Sequence, residues 1–185
     1  MASRINEGFN ALFENLPRSE KILHLLVLTW VLVQILSSSF MHVHPDTAWS
    51  NINMISQVHM YSGLALLPIS LIFMTVVIRR RTFADLYPWL YKNFAVIAED
   101  IKTLFTFRLP KARPAGLSAT IEGLGLLALL LAIFTGCLWY ADAVTGHMSA
   151  LLLEIHKSSV GLIETYFYAH GLFGLLHLIE WWRSN

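Results

Sequence analysis

Cysteine occurs once, at Cys137, in a chain of 185 residues. One thiol closes no internal disulfide and supplies no Cys-pair metal motif. Charge is scarce as well: Asp, Glu, Lys and Arg make up 14% of the chain, against about 25% in ordinary soluble domains. The two signs nearly cancel, to a formal net charge of +1. No overall field marks a polyanionic partner, and no nucleic-acid partner is expected. Internal repeats and low-complexity tracts are absent, so a single domain over residues 1–185 accounts for the chain. What fills it instead is apolar: 56% of the residues are hydrophobic. That composition is too greasy for a soluble domain and suits a polytopic membrane protein.

The apolar residues fall into four runs, at about 22–41, 55–78, 121–140 and 151–182. Each is close to or above the ~20 residues that cross a hydrocarbon core as a helix. The first is too long for the core of a signal peptide and no small-residue cleavage site follows it, so it reads as a retained span. Pro68 is expected to kink the second. The connection 82–119 is long. Its "DLYPWLYKNFAVIAEDIKTLFTF" mixes aromatics with charges at helical intervals, which predicts an amphipathic helix on the membrane surface. "RLPKARPAG" reads as an irregular lead into the third span. The expected fold is all-α: an integral membrane four-helix bundle with a cytoplasmic amphipathic helix between helices 2 and 3.

Basic residues set the orientation. Arg4, Arg18 and Lys21 precede the first run; Arg79, Arg80, Arg81, Lys92, Lys102, Arg108, Lys111 and Arg113 lie between the second and third; Arg183 ends the fourth. Only Lys157 falls on the other side. The positive-inside rule makes the basic face, and with it both termini, cytoplasmic.

Four histidines then sort by depth. His24 lies near the inner end of the first span and His59 near the outer end of the second. His156 lies near the outer end of the fourth, and His170 is 14 residues further in, about 21 Å along a helix. Fourteen steps return to within roughly 40° of the same face, so His156 and His170 share a stripe. Ionisable residues inside a span are costly and point to function. Zinc fits poorly, because no cysteine or acid matches the histidines in depth. Haem iron needs two axial ligands, and its flat apolar ring suits a helix bundle. Two haems b, one held by His59 and His156 and one by His24 and His170, account for both depths. Gly63 and Gly174, one turn after His59 and His170, leave room for a macrocycle or for close helix packing. Glu164 is turned roughly 80° from His156 and has no assigned role.

With those residues in view, "INMISQVHMYSGL" and the histidine spacing of the last run resemble the bacterial cytochrome b561 family. The long connection and "FTGCLWY" are similar to the cytochrome b subunits of formate dehydrogenase and related respiratory enzymes, which belong to the same four-helix di-haem superfamily. The resemblance runs over about residues 18–182. It implies the same two bis-histidine haem b pairs, and a multi-pass protein of the bacterial inner membrane.

Stacked haems make an electron wire, which needs a donor and an acceptor. Quinone, dissolved in the membrane, is the expected partner at the cytoplasmic end, where His177, Glu20 and Glu180 are the candidates for handling its protons. A periplasmic redox subunit or cytochrome is the expected outer partner, which makes the chain the cytochrome b subunit of a respiratory oxidoreductase. Membrane lipid surrounds it, and a homo-oligomer is compatible with the pattern. A standalone superoxide:quinone oxidoreductase is the alternative. The outer loops hold Asp46, Asp142 and Glu154 against one lysine, which disfavours an anionic substrate. A non-redox scaffold or a metal transporter using His42, His44 and His147 is the second alternative.

Overall fold

The structure, a computed structural model, describes residues 7, 8, 10, 11, 13, 16–106 and 108–184. Arg4, one of the residues that orient the chain, lies outside them. The described residues form helices and irregular connections, with no strand. Helix α1 is Arg18–Ser38, α2 Met54–Arg80, α3 Phe83–Leu86, α4 Ala95–Phe105, α5 Leu117–Ala143 and α6 Ala150–Ser184. Two 3-10 turns, Trp49–Asn51 and Pro88–Tyr91, stand in the connections.

Among the described residues three helices, α1, α2 and α5, are long and apolar enough to cross a membrane. The fourth expected span differs. Helix α6 is a single helix of 35 residues, about 52 Å at 1.5 Å per residue, but it carries Glu154, Lys157, Glu164, Glu180 and three histidines among its leucines. The residues that carry the expected chemistry are the ones that lower its apolarity. Large side chains such as Leu25, Leu36, Ile72, Phe134, Leu162 and Leu172 stay exposed along the long helices. Such apolar surface fits lipid and not water.

Local chemistry sets the helix ends. Asn53 Oδ1 accepts from Ser56 N at 2.8 Å and caps α2. Arg79 and Arg80 close α2 at the negative end of its dipole. Pro68 sits inside α2 and removes one backbone bond. The 82–119 connection is broken into pieces and is not one helix. Thr82 and Asp85 form a reciprocal cap for α3. Pro88 then starts a 3-10 turn that ends at Lys92, in the left-handed region at φ 56, and α4 follows.

The chain forms two compact units. One comprises Met1–Ile22, Val77–Gly125 and Tyr166–Asn185; the other comprises Leu23–Val76 and Leu126–Thr165. In the first, Asp100 is buried at 2% exposure. Its Oδ2 accepts from Leu117 N at 2.8 Å and so caps α5, while Arg113 Nε donates to Oδ1 at 2.9 Å. A Cβ at Gly116 would stand 2.6 Å from that Oδ2, so the turn requires glycine. Asp100, with Glu99 beside it, holds the Arg113 guanidinium above its usual value. Tyr87 is buried, which raises its phenol, and its hydroxyl donates to Gly123 O at 3.2 Å. An ion-pair cluster joins three helices here. Arg80 donates to both Glu20 oxygens at 2.6 Å and to Glu122 at 2.8 Å, and Arg81 reaches Glu122 at 2.7 Å.

The second unit holds two apolar clusters. One gathers Val27, Leu66, Leu129, Ile133 and Ile163; the other gathers Val43, Ile52, Met60, Trp139 and Leu153.

Candidate functional site

In the second unit a cavity of about 450 Å³ is lined from α1, α2, α5, α6 and the loop after α1. His59 of α2 and His156 of α6 both face it. Both rings are half-buried, and each is fixed through Nδ1. His156 Nδ1 lies 3.0 Å from Ala132 O and 3.3 Å from Thr135 Oγ1. A carbonyl only accepts, so the proton sits on Nδ1. His59 Nδ1 lies 2.9 Å from Ser37 Oγ. The Gln34 side-chain amide also reaches this ring, with its nitrogen 3.0 Å from His59 Nδ1 in the orientation that satisfies both ends of the amide. His156 therefore keeps an Nε2 lone pair, the form that binds metals, and each ring is anchored through its other nitrogen as metal-binding histidines usually are.

The walls are largely apolar, from Val31, Leu66, Leu129, Ile133 and Val160 among others. Gly63, Gly136 and Gly161 also line the cavity. At Gly136 a Cβ would stand 3.0 Å from His156 Cε1, so glycine lets α5 approach this ring without displacing it. The volume falls within the roughly 300–1,000 Å³ of ligand sites. Two anchored imidazoles, a largely apolar wall and small residues beside the rings fit haem b.

The remaining expected residues stand as follows. His24 meets Phe73 edge-on, with ring centroids 5.9 Å apart. His170 stacks on Tyr166 at 5.1 Å and 14°, and a Cβ at Gly125 would run into that tyrosine ring. His24 belongs to one unit and His170 to the other. His177 Nδ1 lies 3.9 Å from Glu180 Oε2 at the end of α6, and both side chains are open to solvent. Glu20 is apart from that pair in its bonding: it is 2% exposed and held by Arg80. His42, His44 and His147 are all exposed; His42 and His147 meet Phe40 O and Thr145 Oγ1, and His44 also borders the cavity. Among the described residues no three His, Cys, Asp or Glu side chains converge as a metal site.

Sequence reasoning missed several groups here. Ser37, Thr135 and the Ala132 carbonyl orient the rings, and glycine at 136 admits one of them. The one available signal was "TGC" inside a leucine-rich run, since a glycine there marks close approach. Glu164 also lines the cavity, although a helical wheel turns it away from His156; the cavity is broad enough to be reached from both directions.

The family described as prokaryotic cytochrome b561 matches residues 15–183. No curated protein matches the chain significantly, and no solved structure does.

Proposed function

The chain belongs to the prokaryotic cytochrome b561 family, and from that membership we propose that it carries two haems b and passes electrons between the quinone pool and a periplasmic redox partner. Membership itself makes the chain a membrane protein that binds haem b and transfers electrons. The finer reading rests on one observation above all: His59 and His156 line a single apolar cavity with both Nδ1 atoms engaged.

In this reading Nε2 of His59 and of His156 hold one iron, and His24 and His170 hold the other. Bound haem b supplies a one-electron centre at each site. Ser37 Oγ and Ala132 O keep the first pair of rings turned, and the Ala132 carbonyl fixes the tautomer of His156. Leu66, Leu129 and Ile133 exclude water, which keeps reduction clear of side reactions with solvent. At the cytoplasmic end His177 and Glu180 form the accessible pair for a quinone's protons, and Glu20 would act from within its ion-pair cluster. The four long helices act as a bundle in the bacterial inner membrane with both termini inside, and the pieces of the 82–119 connection lie along the cytoplasmic surface. The chain serves as the cytochrome b subunit of a respiratory oxidoreductase.

The test is haem content and variant spectroscopy on the purified chain. Two low-spin haems b per chain are expected. His59→Ala and His156→Ala should each remove one redox component, and His24→Ala and His170→Ala the other. One haem per chain, or the same component lost from His24→Ala and His59→Ala, would overturn the pairing. Recovery of the native protein from its own membrane with a bound periplasmic redox chain supports the subunit role. Superoxide-driven quinone reduction by the chain alone would favour the standalone enzyme.

A further inference from the structure

Tyr166, His170 and Gly174 recur every four residues and so follow one another along a single stripe of α6. Side chains on a helix lean towards its N-terminus, so His170 leans back over the turn that carries Tyr166. The two rings lie nearly parallel, 14° apart in plane with centroids 5.1 Å apart. The next residue of the stripe has no side chain, and a Cβ built on Gly174 would meet no atom within 4 Å. The His170 side chain thus has a flat ring on its N-terminal side and an empty place on its C-terminal side, and it is exposed.

The tyrosine is itself held from a second helix. A Cβ on Gly125 of α5 would run into Tyr166 Cζ, Cε2 and Cε1, so the phenol ring lies against bare backbone. A side chain at position 125 would displace that ring, and the stack on His170 with it. All four residues fall within one compact unit. Such backing matters for an imidazole that must hold one plane. The ring turns about χ2, a broad torsion with no sharp minimum, and a stacked flat partner restricts that rotation.

We propose that Tyr166 is a positioning residue for His170: backed by Gly125, its ring fixes the plane in which His170 presents its imidazole to the haem iron. The proposal rests on the reading that His170 is an axial ligand. Contacts to a metal-bound imidazole set its orientation, and here the contact is the face of a neighbouring ring.

The angle between the planes of two axial imidazoles sets the g anisotropy of a low-spin ferric haem, so EPR of the full-length haem protein reads the His170 plane. Tyr166→Leu removes the flat face. It should shift the largest g value of one haem, the one lost from His170→Ala, while the signal of the other stays as in wild type. That haem should also pass to an apo-haem acceptor protein about tenfold faster or more. Tyr166→Phe keeps the ring and should give the wild-type spectrum. Gly125→Ala, on the other helix, should shift the same signal by displacing the ring. In a Tyr166→Leu background Gly125→Ala should add little, because the ring it crowds is gone. An unchanged g value in Tyr166→Leu overturns the proposal. So does a Tyr166→Phe spectrum shifted as far as that of Tyr166→Leu, which would assign the effect to the hydroxyl. Should Tyr166→Leu not accumulate, Gly125→Ala carries the test, and an unchanged signal there overturns the proposal. Failure of the underlying reading shows separately, as retention of both haems in His170→Ala.

Discussion

His156 takes its orientation from a carbonyl inside another helix. Ala132 O accepts from the His156 ring and also from the Thr135 hydroxyl, at 3.0 Å each. His59 relies on a hydroxyl, Ser37 Oγ. The two anchors differ in how removable they are. A backbone carbonyl survives a side-chain substitution, whereas alanine simply lacks the serine oxygen. Ser37→Ala should therefore loosen the haem of this pair by about tenfold or more, the low end for groups that orient metal-bound histidines. Thr135→Val should do less, because Ala132 O stays in place. The rate of haem transfer to an apo-haem acceptor protein reads both. Equal rates for Ser37→Ala and wild type would show that the serine does not orient the ligand.

Helix ends are tied by charge within the first unit. Glu20 near the start of α1, Arg80 at the end of α2 and Glu122 near the start of α5 meet through bonds of 2.6 to 2.8 Å. Removing Arg80 strands the buried Glu20 carboxylate. Arg80→Ala should lower stability by about 3–5 kcal/mol, while the exposed neighbour Arg79→Ala should change it little; thermal unfolding in detergent compares them. Most helix bounds are legible in the sequence. The apolar runs give α1, α2, α5 and α6 to within about one turn, because membrane spans have their length set by the bilayer. The connection is less legible. A charge–aromatic rhythm reads as one helix, whereas Pro88 and the left-handed Lys92 cut it into pieces. The same split runs through the site. Depth along the spans is enough to bring His59 and His156 to one level. The groups that turn their rings, Ser37 and the carbonyl of Ala132, belong to other helices, and no periodicity announces a cross-helix bond.

At the scale of the molecule, the proposed function needs a direction across the bilayer. On the proposed four-span topology twelve of the thirteen basic residues fall on one side, so an alkaline phosphatase fusion in the loop at Gly146 should be active outside the cytoplasm, and one after Arg183 should not. Activity of the second fusion would invert the proposed topology, and with it the end at which quinone meets the chain. On this topology the protons of quinone chemistry arrive from the cytoplasm. His177 continues the stripe of His156 and His170 by another seven residues, is accessible to solvent, and stands 3.9 Å from Glu180. It can move a proton without leaving the surface. His177→Ala should then slow quinone turnover by about tenfold or more, as loss of a general acid or base does, while both haem spectra stay as in wild type. Bleaching of one haem in this variant would make His177 a ligand and shift the stripe inward. Unchanged turnover and unchanged spectra would make it an ordinary interfacial histidine. The quinone would then meet the chain elsewhere, and the cavity shared by His59 and His156 is the next place to look, because Glu164 on its wall is the other acid within reach of a site buried in the span.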